Sequence, residues 1–345
     1  MELLYYYALA HQNSFDVKWI KQKSIPELIV NPLLTKLINE YNLTVISNAR
    51  VNKLHLLDSN INSIEYIDTK SGNTMKIDEV AGCCLAIGAN GLKSILLNSP
   101  EVAKVSPELA RAASLNSISC ISTRIWLDKK IRTRSPANVM ANFEDARGAG
   151  ATIFMLDELQ KENLLDLWGG NTTLVDGSYP GSVIAVDFYN AEALLPLSND
   201  EIMKIIMDRM LPKVLPDITN ACILESHVYK AKDAVTWFSP GSYSKRPTVK
   251  FQSINNLVYA GDWVKLDLET ESTVAKGLCQ ERAYVTGISA GNELVKKGLY
   301  SGIKSIKSNI IPIRKDEVQV QIGRKINKNI MNILKPFGLA SPWVR

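Results

Sequence analysis

Apolar and polar positions divide the chain into stretches of different period. Behind Ser24-Ile25-Pro26-Glu27, which has the order of an N-cap, a first-turn proline and an early acid, Leu28, Ile29, Leu33, Leu34, Leu37 and Ile38 recur at helical spacing. Pro32 inside this run predicts a kink or a division of the helix. Three β-type runs follow, Leu43–Ser47, Arg50–Leu57 and Ile61–Ile67, with the turn formers Asp58-Ser59-Asn60 and Lys70-Ser71-Gly72-Asn73 between or after them. Val80–Ile87 is continuously apolar, the pattern of a strand covered on both faces in a parallel sheet. It ends in Gly88-Ala89-Asn90-Gly91, which leads into a short helix.

From 99 to 249 the pattern changes. Ser117–Leu127 and Ser182–Phe188 read as strands, and Asp157–Trp168 and Asp200–Val214 as helices. Gly169-Gly170-Asn171-Thr172 and Ser178-Tyr179-Pro180-Gly181 punctuate them. The earlier style returns at Asn256–Ala260, a short buried strand closed by Gly261-Asp262-Trp263 and followed, after a polar loop, by a helix from Val274 to Val295. Beyond it lies a tail rich in Lys and Arg, with an amphipathic helix between Lys325 and Leu334.

Composition narrows the class. A chain of 345 residues that is 46% hydrophobic and 22% charged is an ordinary folded protein. A net charge of +5 is too small a bias to argue for nucleic acid. Cys83, Cys84, Cys120, Cys222 and Cys279 are odd in number and irregular in spacing, which fits reduced thiols in an intracellular compartment. No Cys-x-x-Cys pair exists, and His11, His55 and His227 are far apart, so no zinc site is expected. The N-terminus lacks transit-peptide character, leaving a plastid address without visible support, and no apolar run spans a bilayer. The expectation is a soluble or peripheral membrane protein.

The order strand, Gly-Asp, loop, helix is chemically suggestive. A glycine permits close approach of a ligand to the strand end, and an aspartate there accepts hydrogen bonds from hydroxyls. A following helix offers free N–H groups at its start. The same order is also a common turn. Glu225, His227 and Asp233 cluster in sequence, but strand and turn roles explain them equally well, so no acid–base pair is assigned.

Asn256-Leu257-Val258-Tyr259-Ala260-Gly261-Asp262-Trp263 resembles the C-terminal flavin motif of the FAD-dependent amine-oxidase superfamily. Gly277-Leu278-Cys279-Gln280-Glu281-Arg282-Ala283-Tyr284-Val285-Thr286-Gly287 is similar to the helix that follows it in the carotenoid-desaturase branch. Ala234–Tyr243, Arg246-Pro247, Leu4–Tyr7 with Ala10-His11-Gln12, and Trp126-Leu127-Asp128 resemble further segments of that branch. The resemblance implies an α/β fold, with an incomplete Rossmann-like FAD-binding domain (24–98 and 250–296), a mixed α+β substrate domain (1–23 and 99–249) and a basic tail (297–345).

It also implies site residues. Gly261 and Asp262, with Trp263, would hold the ribityl and pyrophosphate portion of FAD. The backbone of Ala275, Lys276, Gly277 and Leu278 would face the flavin pyrimidine edge, and Val51 would contact adenine through its main chain. Lys276 replaces the usual acid, and its ammonium, if aimed inward, would favour reduced anionic flavin. Trp237, Phe238 and Tyr243 would line a polyene channel, core packing being the alternative. The superfamily's Gly-x-Gly-x-x-Gly unit has no match here. Arg147-Gly148-Ala149-Gly150-Ala151-Thr152 lacks the third glycine and reads as a loop. The resemblance thus implies an N-terminally truncated or split member that desaturates a carotenoid or related apolar isoprenoid, docked on a membrane and completed by an N-terminal chain. A non-catalytic binding or scaffold protein is the alternative.

Overall fold

The structure, a computed structural model, describes residues 23–170, 174, 178–266, 280–296, 308–310 and 318–338. Ser24 opens the first helix. Its N–H and hydroxyl both donate to the Glu27 carboxylate, at 3.0 and 2.5 Å, and these bonds hold that carboxyl below its ordinary range. A π-helical turn, Pro26–Val30, then passes into α1 (Asn31–Tyr41). The wide turn falls just ahead of Pro32, whose ring crowds the preceding carbonyls, so the Asn31 N–H reaches back to Pro26. The device recurs where α5 (Asn199–Lys204) runs through a π turn, Ile205–Met210, into Leu211–Val214 ahead of Pro212.

β1 (Ala49–Leu57), β2 (Asn60–Asp68) and β3 (Thr74–Ile77) form an antiparallel meander. Asp58 and Ser59 both take positive φ, 47° and 61°, as the twist of a tight hairpin demands. The run Leu43–Ser47, expected as a strand, joins no ladder. Its composition is that of a strand, but no partner strand is present among the described residues, and Val45 and Ile46 are left exposed.

β4 (Cys83–Leu85) lies parallel to β10 (Leu257–Tyr259). The apolar run was expected to be covered on both faces. Cys83 and Leu85 are buried, but Cys84 between them is exposed, so one face is open. α2 (Ala89–Asn98) and α3 (Pro100–Val105) pack on β1 of the meander, and α4 (Pro107–Ala113) packs against both helices. Leu54, Ile61, Leu92, Leu109, Leu257 and Tyr259 make one core. Val102, Leu109 and Leu115 belong to this core, although they lie in the stretch 99–249.

Burial pushes the Cys83 thiol up to about 12 from an ordinary 9.0. An unfolded chain would ionise this thiol near pH 9, whereas the fold keeps it neutral. Its contribution to stability is therefore complete below pH 9 and falls as the pH rises from 9 towards 12. The urea midpoint should decline across that window, and Cys83→Ala should flatten the decline.

A second core fills one face of a five-stranded antiparallel sheet of order β6-β7-β8-β5-β9. Its strands are β5 (Ser117–Leu127), β6 (Ala137–Met140), β7 (Gly150–Met155), β8 (Val183–Tyr189) and β9 (Ile223–Thr236). Ile121, Ile125, Val186 and Phe188 join Ile202, Ile206 and Met210 of the helical segment in this core. The expected helix Asp157–Trp168 is broken into the short turns Leu156–Leu159, Lys161–Asn163 and Leu164–Leu167. Asp157 is fully buried and tied to the start of β8: it accepts from the Val183 N–H at 3.1 Å and the Ser182 hydroxyl at 3.3 Å, and it pairs with the Lys130 ammonium. Those bonds hold the first turn against β8.

Candidate functional site

The carboxyl ends of β4 and β10 lie side by side, and the Gly261-Asp262-Trp263 turn closes the second. Gly261 has φ +147°, a region that L side chains rarely adopt, and a β-carbon there would stand 3.2–3.3 Å from the Trp263 indole. The turn is fixed from below. The Trp263 indole N–H and the Tyr259 hydroxyl both donate to the Ile87 carbonyl at 2.9 Å, with their rings edge to face at 5.4 Å. Burial holds the Tyr259 phenol well above its usual range, so it remains a donor. The Trp263 side chain is 1% exposed, and what it contributes here is packing rather than a surface for a ligand.

α6 (Gln280–Lys296) lies against the same turn. The Thr286 hydroxyl accepts from the Gly261 N–H at 2.9 Å and lies 3.0 Å from the Gly261 carbonyl. One turn earlier, Arg282, 2% exposed, donates from Nε to the Val264 carbonyl at 3.1 Å. Arg246 completes the frame. Its guanidinium donates to the carbonyls of Trp263 at 2.6 Å and Val264 at 3.2 Å, and it stacks 5.2 Å from the Phe238 ring and 5.5 Å from the Tyr243 ring. Asp262 is exposed on the outer side of this frame.

Of the residues singled out in the sequence, Gly261, Asp262, Phe238 and Tyr243 are thus brought to one place through Arg246. Val51 is not part of that frame; it lies on β1, opposite Tyr66 and beside a bulge. Ala275, Lys276, Gly277 and Leu278, together with the start of the expected helix at Val274, lie outside the described residues. Trp237 is half exposed in a different cleft, of about 530 Å³, between the two cores. Its other walls include Asn90, Lys93, Asn116, Arg147 and Asp233, a polar lining unlike that of a polyene channel. A bulge causes this: Ile118 and Cys120 face Val235 and Ala231, and the Asp233 N–H donates to the Ser119 hydroxyl, which sets Asp233 at the cleft.

Sequence reasoning gave no role to Arg246, Arg282 or Thr286. A signal was present for the last two, which are four apart on one helix and so share a face. Thr286→Val should cost about 1–2 kcal/mol, because the Gly261 N–H loses its partner while the side chain keeps its shape. Urea denaturation of this variant beside Thr286→Ser, which keeps the hydroxyl, measures the difference.

No family model matches the chain, and no curated protein matches it. Among solved structures, it is similar to cyclohexylamine oxidase from Brevibacterium oxydans at 10% identity and a TM-score of 0.41, covering 72% of this chain and 47% of that one. A flavin-dependent brominase is similar at 11% identity and a TM-score of 0.35, covering 81% and 55%. An oxidoreductase from Methanosarcina mazei is similar at 10% identity and a TM-score of 0.35, covering 63% and 44%. The chain spans about half the length of these solved structures.

Proposed function

We propose that the chain is the substrate-binding and flavin-capping portion of an FAD-dependent oxidoreductase that desaturates an apolar isoprenoid of the carotenoid kind. The observation that carries this reading is the β10 turn: a parallel strand ending in a side-chain-free Gly261 and an exposed Asp262, locked by Thr286. Such a turn offers an exposed carboxylate at the strand end to the hydroxyls of a ligand. The residues present therefore fit the ribityl side of FAD. Asp262 would accept hydrogen bonds from those hydroxyls, Gly261 would let the turn close over Trp263 and so set Asp262 at the strand end, and the resemblance assigns the pyrimidine edge to the backbone of 275–278 and adenine to Val51. FAD, when bound, supplies the acceptor for two electrons and a hydride. Phe238 and Tyr243, held by Arg246, would supply apolar walls beside the turn, orienting the substrate and excluding water.

The open face of β4 at Cys84 and the exposed run Val45-Ile46 favour a nucleotide-binding unit that pairs with them, carried on another segment or another chain. The same open face supports the alternative, a scaffold protein that binds no flavin. The deciding experiment is the visible spectrum of the purified chain with added FAD, followed by denaturation to count released flavin. About one FAD per chain is the expected result. A colourless chain that takes up FAD only when mixed with a Gly-x-Gly-x-x-Gly domain would define a split enzyme. A chain that ignores FAD under both conditions would leave the scaffold reading.

A further inference from the structure

The cleft of about 530 Å³ is walled by Asn90 and Lys93 of α2 and by the chain just beyond β8 and near the end of β9. Ser119 ties the strand side together. Its N–H donates to the Glu192 carboxylate at 2.5 Å, its carbonyl accepts from the Ala191 N–H at 2.9 Å, and its hydroxyl accepts from the Asp233 N–H at 3.0 Å. These bonds fix the segments in which Asn190 and Asp233 take φ of 58° and 50°. Arg147 lines the same cleft at φ 50°, its guanidinium donating to the Ala193 carbonyl at 3.3 Å. Left-handed backbone at three wall positions without a glycine persists only where the surroundings hold it, and such positions gather at ligand sites. The walls also hold uncommitted groups. Among the described residues, nothing pairs with the amides of Asn90, Asn116 and Asn190, the Lys93 ammonium or the Asp233 carboxylate. Trp237 is 44% exposed beside them, and its N–H donates to the Asn116 carbonyl at 2.8 Å, which anchors the residue at the wall.

We infer that this cleft binds a neutral, hydroxyl-rich ring: a sugar, free or as the head of a glycoside. Charge argues for neutrality. Lys93 and Arg147 are balanced by Glu192 and Asp233, so an ion of either sign meets repulsion from one pair. Hydroxyls both donate and accept, and they match amides that do both, a carboxylate that only accepts and an ammonium that only donates. A hydrocarbon in this place would strip water from those groups and return no hydrogen bond. A sugar ring also carries an apolar C–H face, for which the half-exposed indole of Trp237 is a platform. A nucleotide would stack there too, but its phosphate would meet two acids, with one of the two cations already bonded to the Ala193 carbonyl. The volume lies within the range of about 300–1,000 Å³ usual for small-molecule sites. Sugar binding here needs neither Gly261 nor Asp262 and no flavin, so it stands or falls separately from the flavin reading.

The test is saturation-transfer NMR of the full chain, without flavin, against a panel of neutral pentoses, hexoses and disaccharides, with AMP beside them. Calorimetry then gives the affinity of the strongest sugar. At least one sugar should receive saturation, and its ring protons should receive more than any proton of AMP. Trp237→Ala should weaken that sugar about tenfold, while Trp237→Phe, which keeps a flat ring, should retain most of the affinity. Asp233→Asn should also weaken it about tenfold, through loss of a charged acceptor. Its thermal melt should be unchanged, because asparagine tolerates left-handed backbone and the N–H still reaches Ser119. A panel in which no sugar receives saturation would overturn the inference. So would AMP binding in preference to every sugar, or sugar binding that Trp237→Ala and Asp233→Asn both leave unchanged.

Discussion

Gly181→Ala is expected to destabilise the protein by about 3 kcal/mol or more, enough to lower its soluble yield. Gly181 is buried where the chain enters β8, pressed against the exit of β5. A β-carbon there would sit 2.5 Å from the Lys129 N and 2.7 Å from the Lys129 carbonyl oxygen, and it would meet the Leu127 carbonyl closer still. All three atoms are backbone and cannot swing aside as a side chain can. They are also held: the Leu127 N–H donates to the Ser182 carbonyl at 3.0 Å, the Ser182 N–H to the Lys129 carbonyl at 3.1 Å, and the Ile131 N–H to the Ser182 hydroxyl at 2.9 Å. Relief therefore requires breaking bonds that close the five-stranded sheet at this end. Thermal melting of Gly181→Ala beside Gly169→Ala separates the two kinds of glycine. Gly169 has open space around its α-carbon, so its cost arises from a φ of +72° alone and should be smaller.

The contrast between these two glycines shows what the sequence does and does not carry. Both stand in stretches that read as punctuation, and a local pattern cannot say that one of them touches a backbone some fifty residues away. Elements whose cause is local were legible: the Ser24–Glu27 cap, the division of the first helix at Pro32, the Asp58-Ser59 turn and the strand β5 all follow from neighbours in sequence, whereas the π turn ahead of Pro212 interrupts a stretch that reads as one helix. Elements that need a distant partner were not. Leu43–Ser47 has the composition of a strand and no strand to join, and Asp157 gives up a continuous helix for the Val183 N–H and Lys130. At the site, Gly261 and Asp262 were visible because turn chemistry is local. Arg246 was not, because its meaning lies in two carbonyls seventeen and eighteen residues on. Trp263 was assigned towards the ligand on resemblance, whereas its indole N–H is spent on Ile87 in the core.

Asn256→Ala should cost about 3–4 kcal/mol and weaken whatever binds at Gly261. Asn256 is 2% exposed, and its side chain takes the place of a missing strand neighbour. Its Oδ1 accepts from the Ile61 N–H at 2.7 Å, while Nδ2 donates to the carbonyls of Ile61 at 2.8 Å and Val80 at 3.2 Å. One amide thus joins the meander, the approach to β4 and the start of β10. Alanine would leave the Ile61 N–H and carbonyl buried without partners, and each unsatisfied group costs about 1–3 kcal/mol. Asn256→Asp distinguishes loss of shape from loss of these bonds. A carboxylate there could still accept from Ile61, but it would face the Ile61 and Val80 carbonyls with no proton to give. Burial disfavours its charged form, so its pKa should rise above that of the unfolded chain. The aspartate variant should therefore be most stable at acid pH and lose stability as the pH climbs through the carboxyl's ordinary range, the opposite slope to a paired carboxylate. Urea midpoints of the two variants between pH 4 and 8 measure this. A flat profile for Asn256→Asp would mean that water reaches the side chain and that the three segments are held by packing instead.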